Sequence, residues 1–80
     1  MATDIIVYTG SHRHSCDLVK EFLSREGHAF TVRNVEEDDS AYDALIALGF
    51  RVVPVTIVNG RPIKGFDEPA LRAALAASES

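Results

Sequence analysis

Val52-Val53-Pro54-Val55-Thr56-Ile57-Val58-Asn59-Gly60-Arg61-Pro62-Ile63-Lys64 reads as strand, tight turn, strand. Val52 to Val58 is rich in β-branched residues around Pro54, and Asn59-Gly60 is the dipeptide that a two-residue type I′ hairpin requires, because both central residues must take positive φ. Arg61 to Lys64 is then the returning strand. Downstream, Asp67 is placed to cap a helix, Pro69 is tolerated in its first turn, and Leu71, Ala74 and Leu75 supply its apolar side. The tail, Ala77 to Ser80, is expected to fray.

Upstream of the hairpin, Ala41, Leu45 and Leu48 form a helical stripe that Gly49 ends. The acidic run Glu36, Glu37, Asp38 and Asp39 precedes it, where negative charge suits a helix N-terminus, and reads as a solvated helix start. Ala29 to Val35 is read as a strand despite imperfect alternation. From His14 to Glu26, Leu18, Val19, Phe22 and Leu23 recur at helical spacing, and Gly27 supplies the stop. Ile5, Ile6, Val7 and Tyr8 form a short apolar run of the kind buried on both faces of a sheet, expected to be parallel and central.

The predicted order is β α β α β β α. A βαβ unit joined through a helix to a hairpin and a closing helix is the thioredoxin-fold arrangement, an α/β architecture with a four-stranded mixed sheet flanked by three helices. With 80 residues and 46% apolar composition the chain builds one core, so residues 1–80 are read as a single domain. A net charge of −4 with scattered Lys and Arg leaves no electrostatic footprint for nucleic acid or anionic lipid. Neither a basic leader nor a long apolar run appears near the N-terminus, so a cytoplasmic location away from the membrane is expected.

Four segments, in order and at family spacing, resemble the glutaredoxin family from about Ile5 to Leu75. The resemblance is greatest to the small glutaredoxin-like redoxins that serve ribonucleotide reductase. Val7-Tyr8-Thr9 leads through a loop to Cys16, with Lys20 and Leu23 following; Leu48-Gly49-Phe50-Arg51 is similar to the family's Leu-Gly-Tyr segment. Val52-Val53-Pro54-Val55 resembles the Val-Pro loop, whose proline is cis in the family and faces the active-site cysteines. Asn59-Gly60 and Gly65-Phe66-Asp67 resemble the turn that opens the last helix. The resemblance implies thiol–disulfide exchange, no bound cofactor, and glutathione or a protein thiol as partner. It assigns ligand contacts to Tyr8, His14, Val53, Pro54, Gly65, Phe66 and Asp67, with Asp67 in the position that holds the glutathione amino group.

The chain departs from the family at the chemistry. Counted from Tyr8, the attacking cysteine of CxxC falls on Arg13 and the resolving one on Cys16, so the motif reads Arg13-His14-Ser15-Cys16. With one cysteine in the chain no internal disulfide can form, and any thiol chemistry needs an outside thiol. The helix tip stabilises a thiolate through its unpaired N–H groups and positive dipole end. Cys16 lies about one turn further in and is expected at the edge of the Leu18, Val19, Phe22, Leu23 stripe, partly covered.

Two readings of Cys16 stand side by side: a thiol activated by Arg13 and His14, or a small apolar residue in a semi-buried site. Arg13 itself reads either as an anion hook in the catalytic loop or as a solvated surface arginine. His12, His14 and Cys16 alternate as HxHxC, but residues 14 and 16 point apart once the helix begins, so no metal is expected. Gly10 stands where many glutaredoxins carry a lysine, which removes one charge partner for glutathione. The alternative to catalysis is a redox-inactive module that uses the cis-proline groove to hold a peptide, a partner or an anionic ligand.

Overall fold

The computed structural model describes residues 4–11 and 14–78; the readings made at His12 and Arg13 lie outside the described residues. Seven elements follow in order: β1 (Ile5–Thr9), α1 (His14–Arg25), β2 (Thr31–Asn34), α2 (Asp39–Ala47), β3 (Val55–Val58), β4 (Arg61–Lys64) and α3 (Glu68–Ser78). The sheet order is β2-β1-β3-β4, with β1 parallel to β2 and antiparallel to β3, and β3 antiparallel to β4. This is the thioredoxin fold. The apolar first strand is central as expected, but only one of its two neighbours is parallel.

The period-2 geometry of β1 divides the core into two. Ile5 and Val7, with Val58 and Ile63, face Val19, Phe22 and Leu23 of α1 and Leu71, Ala74 and Leu75 of α3. Ile6 and Tyr8, with Val55 and Ile57, face Ala41 and Leu45 of α2. Each fully covered side chain, such as Phe22 or Leu45, contributes about 1.5–3 kcal/mol of burial. Phe22 also meets Phe66 edge-on at 6.2 Å between centroids.

The turn chemistry follows the residues. Asn59 (φ 48°) and Gly60 (φ 86°) take the two positive φ values of a type I′ hairpin. Helices α1 and α2 each end in a Schellman closure: Gly27 N–H donates to Ser24 O and His28 N–H to Leu23 O, and Gly49 N–H donates to Ile46 O and Phe50 N–H to Leu45 O. Asp67 caps α3, its Oδ1 accepting from Ala70 N–H at 3.2 Å.

Several expectations are corrected. The second strand covers only Thr31–Asn34, and β3 begins at Val55, because Val52 and Val53 bend into the proline turn. Helix α3 continues through Ser78, so Ala77 is helical. Leu48 is 48% exposed: it is the C-cap of α2, and the buried stripe of that helix is Ala41 and Leu45 alone. On α1 the buried set is Cys16, Val19, Phe22 and Leu23, with Leu18 only half-buried. The face that meets the sheet is thus rotated toward the cysteine.

Candidate functional site

The register of β1 against β3 assembles the site. Tyr8 pairs with Val55, so the carboxyl end of β1 lies beside the start of β3. The loop that leaves β1, the Val53-Pro54 turn and the segment after Lys64 therefore share one end of the sheet. The Val53-Pro54 peptide bond is cis, as the family resemblance implies. Pro54 O accepts Gly65 N–H at 2.8 Å, which ties the proline turn to the approach to α3. The N–H and C=O of Val53 enter no hydrogen bond among the described residues, leaving one donor and one acceptor for a ligand backbone.

Cys16 is the third residue of α1 and 1% exposed. It is more deeply covered than the sequence suggests, because positions 16, 19 and 23 fall on the side that packs on the sheet. His14, the first residue of α1, is exposed, so the two side chains face apart. Among the described residues no group of His, Cys, Asp and Glu could hold a metal ion.

The other predicted contacts divide. Asp67 is exposed at the mouth of α3, and its capping bond leaves its second oxygen outside that interaction. Phe66 is half-buried and its ring is committed to Phe22. Tyr8 is 4% exposed, enclosed in the α2-side core with the Arg33 guanidinium 5.7 Å from its ring centre, so it positions the strand end and offers almost no surface to a ligand. Gly65 is half-buried with φ 72°.

Two features escape the sequence reading. A groove of about 380 Å³ runs beside the proline turn, lined by Val35, Glu36, Tyr42, Arg51, Val52 and Val53. Tyr42 and Val52, 52% and 45% exposed, give it an apolar wall, and Glu36 and Arg51 give it one charge of each sign. The second is Glu36 itself, read as part of a solvated run: its Oε2 accepts the backbone N–H of Ser11 at 2.7 Å. No local signal announces a bond between residues 25 positions apart.

The glutaredoxin family profile matches residues 5–63, from the start of β1 into β4. The glutaredoxin-like protein NrdH of Lactococcus lactis subsp. cremoris (strain MG1363) is 32% identical over 62 residues, which span 78% of this chain and 86% of that protein. This chain belongs to the glutaredoxin family. Among solved structures, the glutaredoxin-like NrdH-redoxin from Escherichia coli is 30% identical with a TM-score of 0.81, covering 88% of this chain and 92% of that one. The thioredoxin-like protein BC3987 is 28% identical with a TM-score of 0.85, covering 89% and 99%. Within the glutaredoxin family the likeness therefore runs toward NrdH-type redoxins. Among the described residues no helix is long and apolar enough to cross a membrane.

Proposed function

We propose that this protein is a thiol–disulfide oxidoreductase that works through Cys16 alone and passes electrons by mixed-disulfide exchange with an outside thiol. The observation that carries the reading is the position of the chain's one cysteine in the first turn of α1, at the sheet end that also holds the cis-proline turn. The Cys16 thiolate attacks a disulfide RS–SR′, forming Cys16–S–S–R and expelling R′S⁻. A second thiol, from glutathione or a protein, attacks that mixed disulfide, leaves as the new disulfide with R, and restores the Cys16 thiolate. Dithiol turnover within one chain is closed, since it needs a second cysteine. The burial of Cys16 keeps the rate low, because the sulfur must be uncovered before it reacts.

In this reading Arg13, in the position of the family's attacking cysteine, is the cation that draws an anionic partner or thiolate to the site. His14, the next residue in the sequence, is exposed. The free N–H and C=O of Val53 align the extended backbone of the partner, and Gly65 and Asp67 bound the far side. The E. coli relative is described with a thioredoxin-like activity profile, which favours a protein thiol as the partner over glutathione. Gly10, in place of a lysine, argues in the same direction. The setting is the cytoplasm, where thiols are kept reduced.

The test is intact-mass analysis after incubation with glutathione disulfide, followed by turnover on a glutathione mixed disulfide and on a protein disulfide. A single adduct on the parent, absent from Cys16→Ser and slower to form on Arg13→Ala, is the expected result. No adduct and no turnover with either substrate defeats the proposal and leaves a redox-inactive binding module.

A further inference from the structure

We propose that Glu36 is a positioning residue that latches the exit from β1, the start of the connection to the helix that bears Cys16. The inference rests on the reading of Cys16 as the reacting thiol. Strand β1 ends at Thr9 and α1 opens at His14, so the loop that leads to Cys16 leaves the sheet through Gly10 and Ser11. Three hydrogen bonds join this exit to the end of β2, and a fourth shapes that end itself. Val35 N–H donates to Thr9 O at 2.9 Å, the last rung of the parallel pairing. Asn34 Oδ1 accepts Glu36 N–H at 2.8 Å, an Asx turn that takes the chain out of β2 at Glu36. Asn34 Nδ2 donates to Ser11 Oγ at 3.4 Å, and Glu36 Oε2 accepts Ser11 N–H at 2.7 Å.

The last of these is short and charge-assisted, the stronger class of backbone contact. It satisfies an N–H that no strand or helix serves, five residues before the cysteine. Cys16 is 1% exposed in the first turn of α1, on the side that packs on the sheet, so an exit held at Ser11 keeps that turn seated and the sulfur covered, and an exit released there lets the turn open locally. Glu36 also lines the groove beside the proline turn, together with Arg51 and Val53. One carboxylate thus touches both the exit from β1 that leads to the thiol-bearing helix and the surface beside the cis-proline.

The experiment uses the full chain, Glu36→Ala and Glu36→Gln, the last keeping an acceptor oxygen without the charge. In Glu36→Ala, amide exchange at Ser11 is expected to accelerate by roughly tenfold, and iodoacetamide alkylation of Cys16 by roughly threefold or more. Glu36→Gln should lie nearer the parent in both, with far-ultraviolet circular dichroism unchanged in all three. The proposal is overturned if Ser11 exchange in Glu36→Ala matches the parent, if Cys16 alkylation does not rise, or if the glutamine fails to restore either. Alkylation reports access whether or not disulfide turnover occurs. Accelerated alkylation in a protein with no adduct or turnover therefore defeats the catalytic reading and leaves the latch intact, while turnover with unchanged alkylation does the reverse.

Discussion

Thr56 is fully buried in β3, between Val7 and Ile63 in the register, and its Oγ1 has no hydrogen-bond partner among the described residues. A hydroxyl taken out of water without a partner costs about 1–3 kcal/mol by mutational measures, so the isosteric Thr56→Val should stabilise the fold by about 1 kcal/mol. Urea unfolding monitored by circular dichroism reads this directly, and a loss of stability instead would mean that the hydroxyl is satisfied in solution. The contrast with Glu36 is instructive. Among the described residues the buried Thr56 hydroxyl is unpaired, while an exposed acidic residue that looked merely solvated makes a short contact to the loop preceding Cys16.

At the scale of the element, α2 shows how both ends of a helix are written into short local signals. Asp38, the N-cap, accepts from Ser40 Oγ at 2.7 Å and from Ser40 N–H at 2.9 Å. The bond from the Ser40 hydroxyl, with backbone bonds and the Arg33 charge behind it, holds the Asp38 carboxyl below its usual range. A carboxyl with a depressed folded pKa contributes stability in full above its unfolded value and loses it as pH falls through the folded one. Asp38→Asn keeps a capping oxygen without the charge. The parent's stability advantage over it should therefore shrink as pH falls from near the ordinary aspartate value of about 3.9 to below it, in acid titration of thermal unfolding.

The other end of α2 is closed by Gly49 at φ 93°, where an added Cβ would meet nothing within 4 Å. Gly49→Ala should thus lose only the backbone preference, about 1–2 kcal/mol, measured as a lower urea midpoint at unchanged slope. A larger loss would mean that the turn into the Arg51–Val53 groove wall shifts as well.

Across the whole molecule, Arg72 fastens α3 to the end of α1. Its guanidinium pairs with Glu26 at 2.6 Å and with Glu68 at 2.8 Å, and lies 5.0 Å from the centre of the Phe22 ring. The hydrogen bonds it donates to Glu68, with the one it donates to Glu26, raise its pKa above the ordinary arginine value. These pairs face solvent, so salt screens them, whereas the ring contact persists. Arg72→Met keeps most of the side-chain bulk and removes the charge. Its Tm should fall below the parent's at low salt, and the gap should narrow in about 1 M sodium chloride; a gap that salt leaves untouched would assign the effect to packing on Phe22.

Much of this protein is settled by sequence alone. The order of elements, the Asn59-Gly60 hairpin, the glycine helix stops and the Asp67 cap all follow from rules that act over a few residues, and the structure contains each of them. The cis bond at Val53-Pro54 was legible through the family resemblance rather than from local propensity. What the tertiary structure alone decided is how those elements face one another. Periodicity marks an apolar stripe on α1 but does not say which edge turns to the sheet, so Cys16 passes from an edge residue to a covered one, while Leu48 passes from the stripe to solvent. The groove beside the proline turn and the bond from Ser11 to Glu36 join residues far apart in the chain, and their existence depends on sheet order and strand register. Local backbone preferences do not encode such meetings; they arise when packing of the two core faces brings the ends of β1, β2 and β3 together.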